Sequence, residues 1–207
     1  MKTIGTLLMT SLMGLILSGC ASGRPQLQVE RSYSNDRFTA MFDRAFYSQS
    51  VDGQMDVILL ADGAGKSTVG QPLPTQAQQS VRQVVHIRVL WQKPGGVRLD
   101  NPSATNAMID WHVIASPRDR LTYFGSCWAY ADIDGNEAEL DIRNATLSIS
   151  QVEGAIDDPL KRASVSGFVT LRRADATVKS YLTELSALRS VPPATTPGPP
   201  ARGETVP

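Results

Sequence analysis

Few residues in this chain have types and spacing that could do chemistry, and each set departs from the pattern its chemistry needs. Asp62-Gly63-Ala64-Gly65-Lys66-Ser67-Thr68 has the composition of a phosphate-binding loop. That loop is Gly-x-x-x-x-Gly-Lys-Ser/Thr, which puts its first glycine where Leu60 stands. The following Val69-Gly70-Gln71-Pro72 starts no helix whose N-terminal amides could face phosphate. The stretch reads as a solvated turn and implies no nucleotide. Asp132-Ile133-Asp134-Gly135-Asn136-Glu137 spaces its carboxylates as a hard cation would use them, but a calcium loop needs further ligands and a distal bidentate Glu. An Asp-Gly hairpin turn accounts for the glycine. His86 and His112 are the two histidines; each lies in an alternating stretch, opposite a Val/Ile/Trp row, and neither has metal-ligand spacing to Cys127 or Asp110. No metal and no cofactor are assigned.

Gly125-Ser126-Cys127-Trp128 contains two nucleophilic atoms, yet it lies within an alternating aromatic strand. A nucleophile needs a base within reach, and the chain has neither a Gly-x-Ser-x-Gly elbow nor a His-Glu-x-x-His helix. No catalytic residue is assigned. Trp91, Trp111 and Trp128 could form a platform for a glycan or peptide. Alternation aligns Trp91 and Trp111 with Val and Ile neighbours, which predicts core packing instead.

The elements that must position these residues are strands. Phe38, Ala40, Phe42 and Phe46 alternate with polar residues, and Val51-Asp52-Gly53-Gln54 turns the chain. Met55 to Ala61 is apolar enough for burial on both faces. A loop or a short exposed helix is expected over 69–80. Val81 to Trp91 places Val85, Ile87, Val89 and Trp91 on one face, His86 and Arg88 on the other. Pro94-Gly95-Gly96 turns into a short Val97-Arg98-Leu99, broken by Asn101-Pro102-Ser103. Strands follow over Ala107 to Ala115, Leu121 to Tyr130, Glu137 to Ile149 and Ala163 to Arg172. Leu140 and Ile142 have one parity, Leu147 and Ile149 the other, which predicts a β-bulge or sheet corner near Arg143-Asn144. Val178, Tyr181, Leu182, Leu185 and Leu188 then form one helical stripe, with Asp175 as N-cap. The fold class is mainly β: an antiparallel β-sandwich or partly closed barrel with one C-terminal amphipathic helix.

The start of the chain is of another kind. Lys2 precedes an apolar run from Ile4 to Leu17 that is shorter than the roughly 20 residues of a membrane span, and the run closes on Leu17-Ser18-Gly19-Cys20. A charged start, a short apolar core and small residues at the end form a removable export signal. Leu17-Ser18-Gly19-Cys20 resembles the lipobox of bacterial lipoproteins. The resemblance covers residues 1–20. It implies cleavage between Gly19 and Cys20, diacylation of the Cys20 sulfur and a membrane partner reached through the acyl chains. With Ala21 rather than Asp next, it also implies the periplasmic side of the outer membrane in a Gram-negative envelope.

This divides the chain into a signal (1–19), a polar tether (20–36) with a short extended piece near Leu27-Val29, a β-rich domain (37–190) with its helix near 175–189, and a tail (191–207) rich in proline. Twenty basic residues balance 20 acidic ones, with no basic stripe to meet phosphates, so nucleic acid is not expected as a partner. With Cys20 acylated, Cys127 has no partner within the chain and a disulfide framework is excluded. The sequence therefore reads as a lipid-anchored envelope protein, a non-enzymatic binding or assembly module for a protein, peptide or glycan. The alternative is a hydrolase with a dispersed, histidine-containing site.

Overall fold

A computed structural model describes residues 23–34, 36–62, 81–91 and 105–189. The signal and lipobox, most of the Asp62–Thr68 turn, the loop over 69–80, the 94–103 stretch and the tail lie outside the described residues. The strands are β1 (Gln26–Arg31), β2 (Arg37–Met41), β3 (Arg44–Gln49), β4 (Met55–Ala61), β5 (Arg82–Val89), β6 (Ala107–Ile114), β7 (Arg120–Asp134), β8 (Glu137–Glu153) and β9 (Ala163–Arg173); the helix is α1 (Asp175–Arg189).

They form one nine-stranded sheet in the order β2-β1-β9-β3-β4-β5-β6-β7-β8, with β8 also paired to β9, so the sheet closes on itself. Strand β9 is the closing element. One of its edges pairs antiparallel with β8, from Glu137↔Arg172 to Leu147↔Ala163. Its other edge is shared. The β1 strand takes Ala163 to Ser166 antiparallel, and β3 takes Arg172 and Arg173 parallel. A parallel pair thus seals an otherwise antiparallel barrel. The interior is filled by inward side chains, among them Leu27, Val57, Ile87, Ile109, Trp111 and Leu140, all at most 1% exposed.

The first strands depart from the sequence reading in two places, and β7 and β8 run four residues further than expected, to Asp134 and Glu153. The stretch read as tether contains all of β1: Leu27 and Val29 are buried in the barrel while Gln26, Gln28 and Glu30 face outward, which is why the segment looks polar. The single strand expected across Phe38–Phe46 is two strands. The chain passes from the β1 partner to the β4 partner at Phe42-Asp43, and Phe42 turns inward against Trp111, with ring centroids 5.7 Å apart.

Local signals elsewhere match the structure. The parity switch in β8 is a bulge: Asn144 has φ 54°, and the register shifts between Ile142 and Ala145 against β9 and between Ser126 and Trp128 against β7. The β7–β8 turn centres on Gly135-Asn136, with the positive φ (58°) at Gly135, the glycine-first pattern of a type II′ hairpin. Helix α1 is capped one residue earlier than predicted. The Ala174 carbonyl accepts from Val178 N–H, so Asp175 lies in the first turn, where its charge suits the helix dipole. The stripe of α1 covers the outward Ile58, Leu60 and Val84 of β4 and β5. Arg82 fixes the helix from below by a two-pronged pair with Glu184, the guanidinium 5.5 Å from the Tyr181 ring.

Candidate functional site

The densest polar cluster lies on the outer surface of β4, β5 and β6, beside the helix-covered patch. Alternation sends Val57, Val85, Ile87 and Ile109 inward and leaves Asp56, His86, Arg88 and Asp110 facing out. Register makes them neighbours: Asp56 stands across from Arg88, and His86 across from Asp110. His86 is only 7% exposed. Its Nε2–H donates to Asp56 Oδ1 at 2.8 Å, and Arg88 Nε–H donates to the same oxygen at 3.0 Å. The other ring nitrogen, Nδ1, is 3.8 Å from Asp110 Oδ2. Burial pushes the Asp56 carboxyl up, but the hydrogen bonds from His86 and Arg88, with their charges, outweigh it and hold the group below the usual carboxylate range. Both ring nitrogens of His86 face carboxylates. The arrangement ties three strands together.

His112 lies on the same outer face, one pair further along, with Nδ1 3.1 Å from Thr122 Oγ1. It is 3% exposed, in a shallow crevice with Ile114, Arg120, Gln151 and Leu188. The two histidines thus share a surface but have separate partners. Cys127 faces the barrel interior at 2% exposure, and burial pushes its thiol up to about 12, which keeps it protonated and unreactive. Ser126, beside it, faces outward. Gly125 is required by a close approach, since a Cβ there would stand 2.1 Å from the Thr146 carbonyl.

The carboxylates of the 132–137 stretch project outward at the β7–β8 turn, where β9 pairs with β8. Asp132 faces Glu139 and Asp134 faces Glu137 across the pair. All four are exposed, and no group of three or more His, Cys, Asp or Glu is placed to hold a metal ion among the described residues. The tryptophans divide. Trp111 is in the interior with Nε1–H donating to Gln83. Trp128 is buried on the outer face, stacked on Tyr130 and lying 5.2 Å from the Arg143 guanidinium. Trp91, expected to pack in the core, is 46% exposed, because β5 ends at Val89 and the alternation does not continue.

Two structural residues carried no visible signal. Asn106, 4% exposed, continues β6 with its side chain: Nδ2–H₂ donates to the carbonyls of Ala129 and Trp91, and Oδ1 accepts from Ala129 N–H. Tyr123 donates from inside the barrel to Asp158, whose carboxylate also accepts from Leu160 and Lys161 N–H. Burial, then this hydrogen bond, keeps the phenol protonated far above its ordinary range. An Asn before a strand and an Asp before Pro159 are ordinary loop residues in sequence. Gly19 and Cys20 lie outside the described residues. Among the described residues no helix is long and apolar enough to cross a membrane. No protein-family model, curated protein or solved structure matches the chain.

Proposed function

We propose that this chain is a lipoprotein of the cell envelope, cut between Gly19 and Cys20 and acylated on Cys20. Its barrel serves as a non-enzymatic binding or assembly module on the periplasmic side of the outer membrane. The observation that carries the reading is Leu17-Ser18-Gly19-Cys20 at the end of a charged and then apolar start. Two acyl chains give stable anchoring, at about 0.8 kcal/mol per buried CH₂. The side-chain-filled interior supports recognition on the outer surface, by an envelope protein, peptide or glycan, over a ligand held within. The hydrolase reading needs a histidine beside a nucleophile, whereas His86 lies against Asp56 and Asp110 and His112 against Thr122.

Intact mass of the membrane-extracted protein tests the anchor. The wild type is expected to begin at Cys20 with added acyl mass, and Cys20→Ala to lose both that mass and membrane association. A wild type that is soluble and unacylated overturns the reading.

A further inference from the structure

We infer that the barrel lies against the lipid surface on the wall formed by β9, β1 and β2, with the Phe168 ring among the headgroups. This rests on the anchoring of Cys20 proposed above and adds an orientation to it.

The first argument is reach. The Pro25 carbonyl accepts from Phe42 N–H at 2.8 Å, and the Arg24 guanidinium is 4.0 Å from Asp43, so the chain is tied to the barrel from Arg24 onward. Between Cys20 and Pro25 even a fully extended chain spans at most about 18 Å. An acylated Cys20 therefore holds the barrel close to the bilayer, and the wall from which Pro25 emerges is the one turned toward it.

The second argument is where Phe168 stands. It points outward from β9 and is 65% exposed, the most exposed aromatic ring within any strand of the described chain. Its neighbour Gly167 is pressed against the beginning of β1. A Cβ at Gly167 would stand 3.1 Å from the Gln26 carbonyl and 3.3 Å from the Leu27 side chain. The β1–β9 register, which pairs Gln28 with Ser166, carries Gln26 toward Phe168. The exposed ring and the point where the chain leaves the barrel are thus side by side.

The third argument is charge. On the β1–β2 side the outward Gln26, Gln28, Thr39, Ser164 and Ser166 are uncharged, and the Glu30 and Arg37 beside them neutralise each other at 3.1 Å; on the β8 side Phe168 stands across from Asp141, which is neutralised by Arg143 at 2.7 Å. The β7–β8 tip instead presents two like-charged cross-strand pairs, Asp132 with Glu139 and Asp134 with Glu137. Anionic headgroups repel that tip more than a wall whose charges are paired. An aromatic ring beside neutral polar groups suits the headgroup layer, where amphipathic and aromatic side chains concentrate.

The test is lipid quenching of a fluorophore on Phe168→Cys, compared with Ile133→Cys at the acidic tip. Both are made in the full-length acylated protein, reconstituted in phosphatidylethanolamine/phosphatidylglycerol vesicles carrying nitroxide lipids. Only the introduced cysteine reacts, since Cys20 is acylated and Cys127 is buried with its thiol pushed up to about 12. Lipid quenching at 168 is expected to exceed that at 133 at least threefold. Equal quenching at the two sites, in protein whose mass shows acyl chains and which floats with the vesicles, overturns the docking and leaves the anchor standing. Protein that is unacylated and does not float overturns both. A label at 168 shielded from lipid and aqueous quenchers alike by a co-purifying protein assigns the wall to that protein and overturns the lipid contact.

Discussion

Two outward faces of the barrel differ in what covers their apolar side chains: that of β4 and β5 lies under the chain's own helix, that of β9 does not. On β4 and β5 the outward Ile58, Leu60 and Val84 are at most 1% exposed, because the stripe of α1 lies on them. On β9 the outward Phe168 is 65% exposed among serines and threonines. The difference is one of density. Strand β4 is apolar at six of its seven positions, so closing the barrel buries one of its faces and leaves another needing cover. Strand β9 keeps strict alternation apart from Phe168, and one ring is too little surface to hold a helix. An outward apolar row that folding covers belongs to the core. A lone ring beside the start of β1 is left open.

The comparison can be broken at either face. Leu60→Ala removes a fully buried side chain under α1 and should cost about 2–5 kcal/mol in denaturant unfolding, through lost burial and an unfilled cavity. A loss below about 1 kcal/mol would mean that α1 does not bear on β4 in solution. A smaller effect is expected at the polar cluster that borders the helix. Asp56→Asn weakens the hydrogen bonds of His86 and Arg88, for roughly 1–3 kcal/mol at neutral pH.

The pH dependence of that loss has a fixed sign. The folded Asp56 carboxyl is held below its unfolded value of about 3.9, so the folded state favours the ionised form. Its contribution is fully present well above that value and is lost as pH falls through the folded value. Wild-type stability should therefore drop more steeply below about pH 4 than that of Asp56→Asn. Parallel curves would remove Asp56 from the ion-pair account. The smallest effect belongs to the open wall. Phe168→Ser should change unfolding free energy by no more than about 0.5 kcal/mol, since an exposed ring contributes little to the folded state. A loss of 2 kcal/mol or more, as an order of magnitude for a buried side chain, would show the ring to be part of the core.

Legibility followed the range of the interaction. The β8 bulge was readable because Leu140 and Ile142 break parity with Leu147 and Ile149 within one stretch. The α1 stripe was readable because five apolar residues keep helical spacing. Trp91 was misread because alternation says nothing about where a strand stops. Strand β1 was read as tether because only Leu27 and Val29 mark it, and their burial depends on β9, more than a hundred residues away. The cluster at His86 was half legible. Its place opposite the Val/Ile row could be read, but Asp56 and Asp110 lie on other strands, and nothing local makes them neighbours.

By itself the sequence determined the β class, the Gly53 and Gly135 turns, the bulge and the C-terminal helix, because period and turn chemistry act among residues close in the chain. The tertiary structure alone decided that the sheet closes through β9 and that β1 is a wall of the barrel. It also decided that His86 is held between two carboxylates, and that Phe168 stands beside the point where the chain leaves. Those outcomes depend on register between strands distant in sequence, where a shift of one residue would exchange inside for outside.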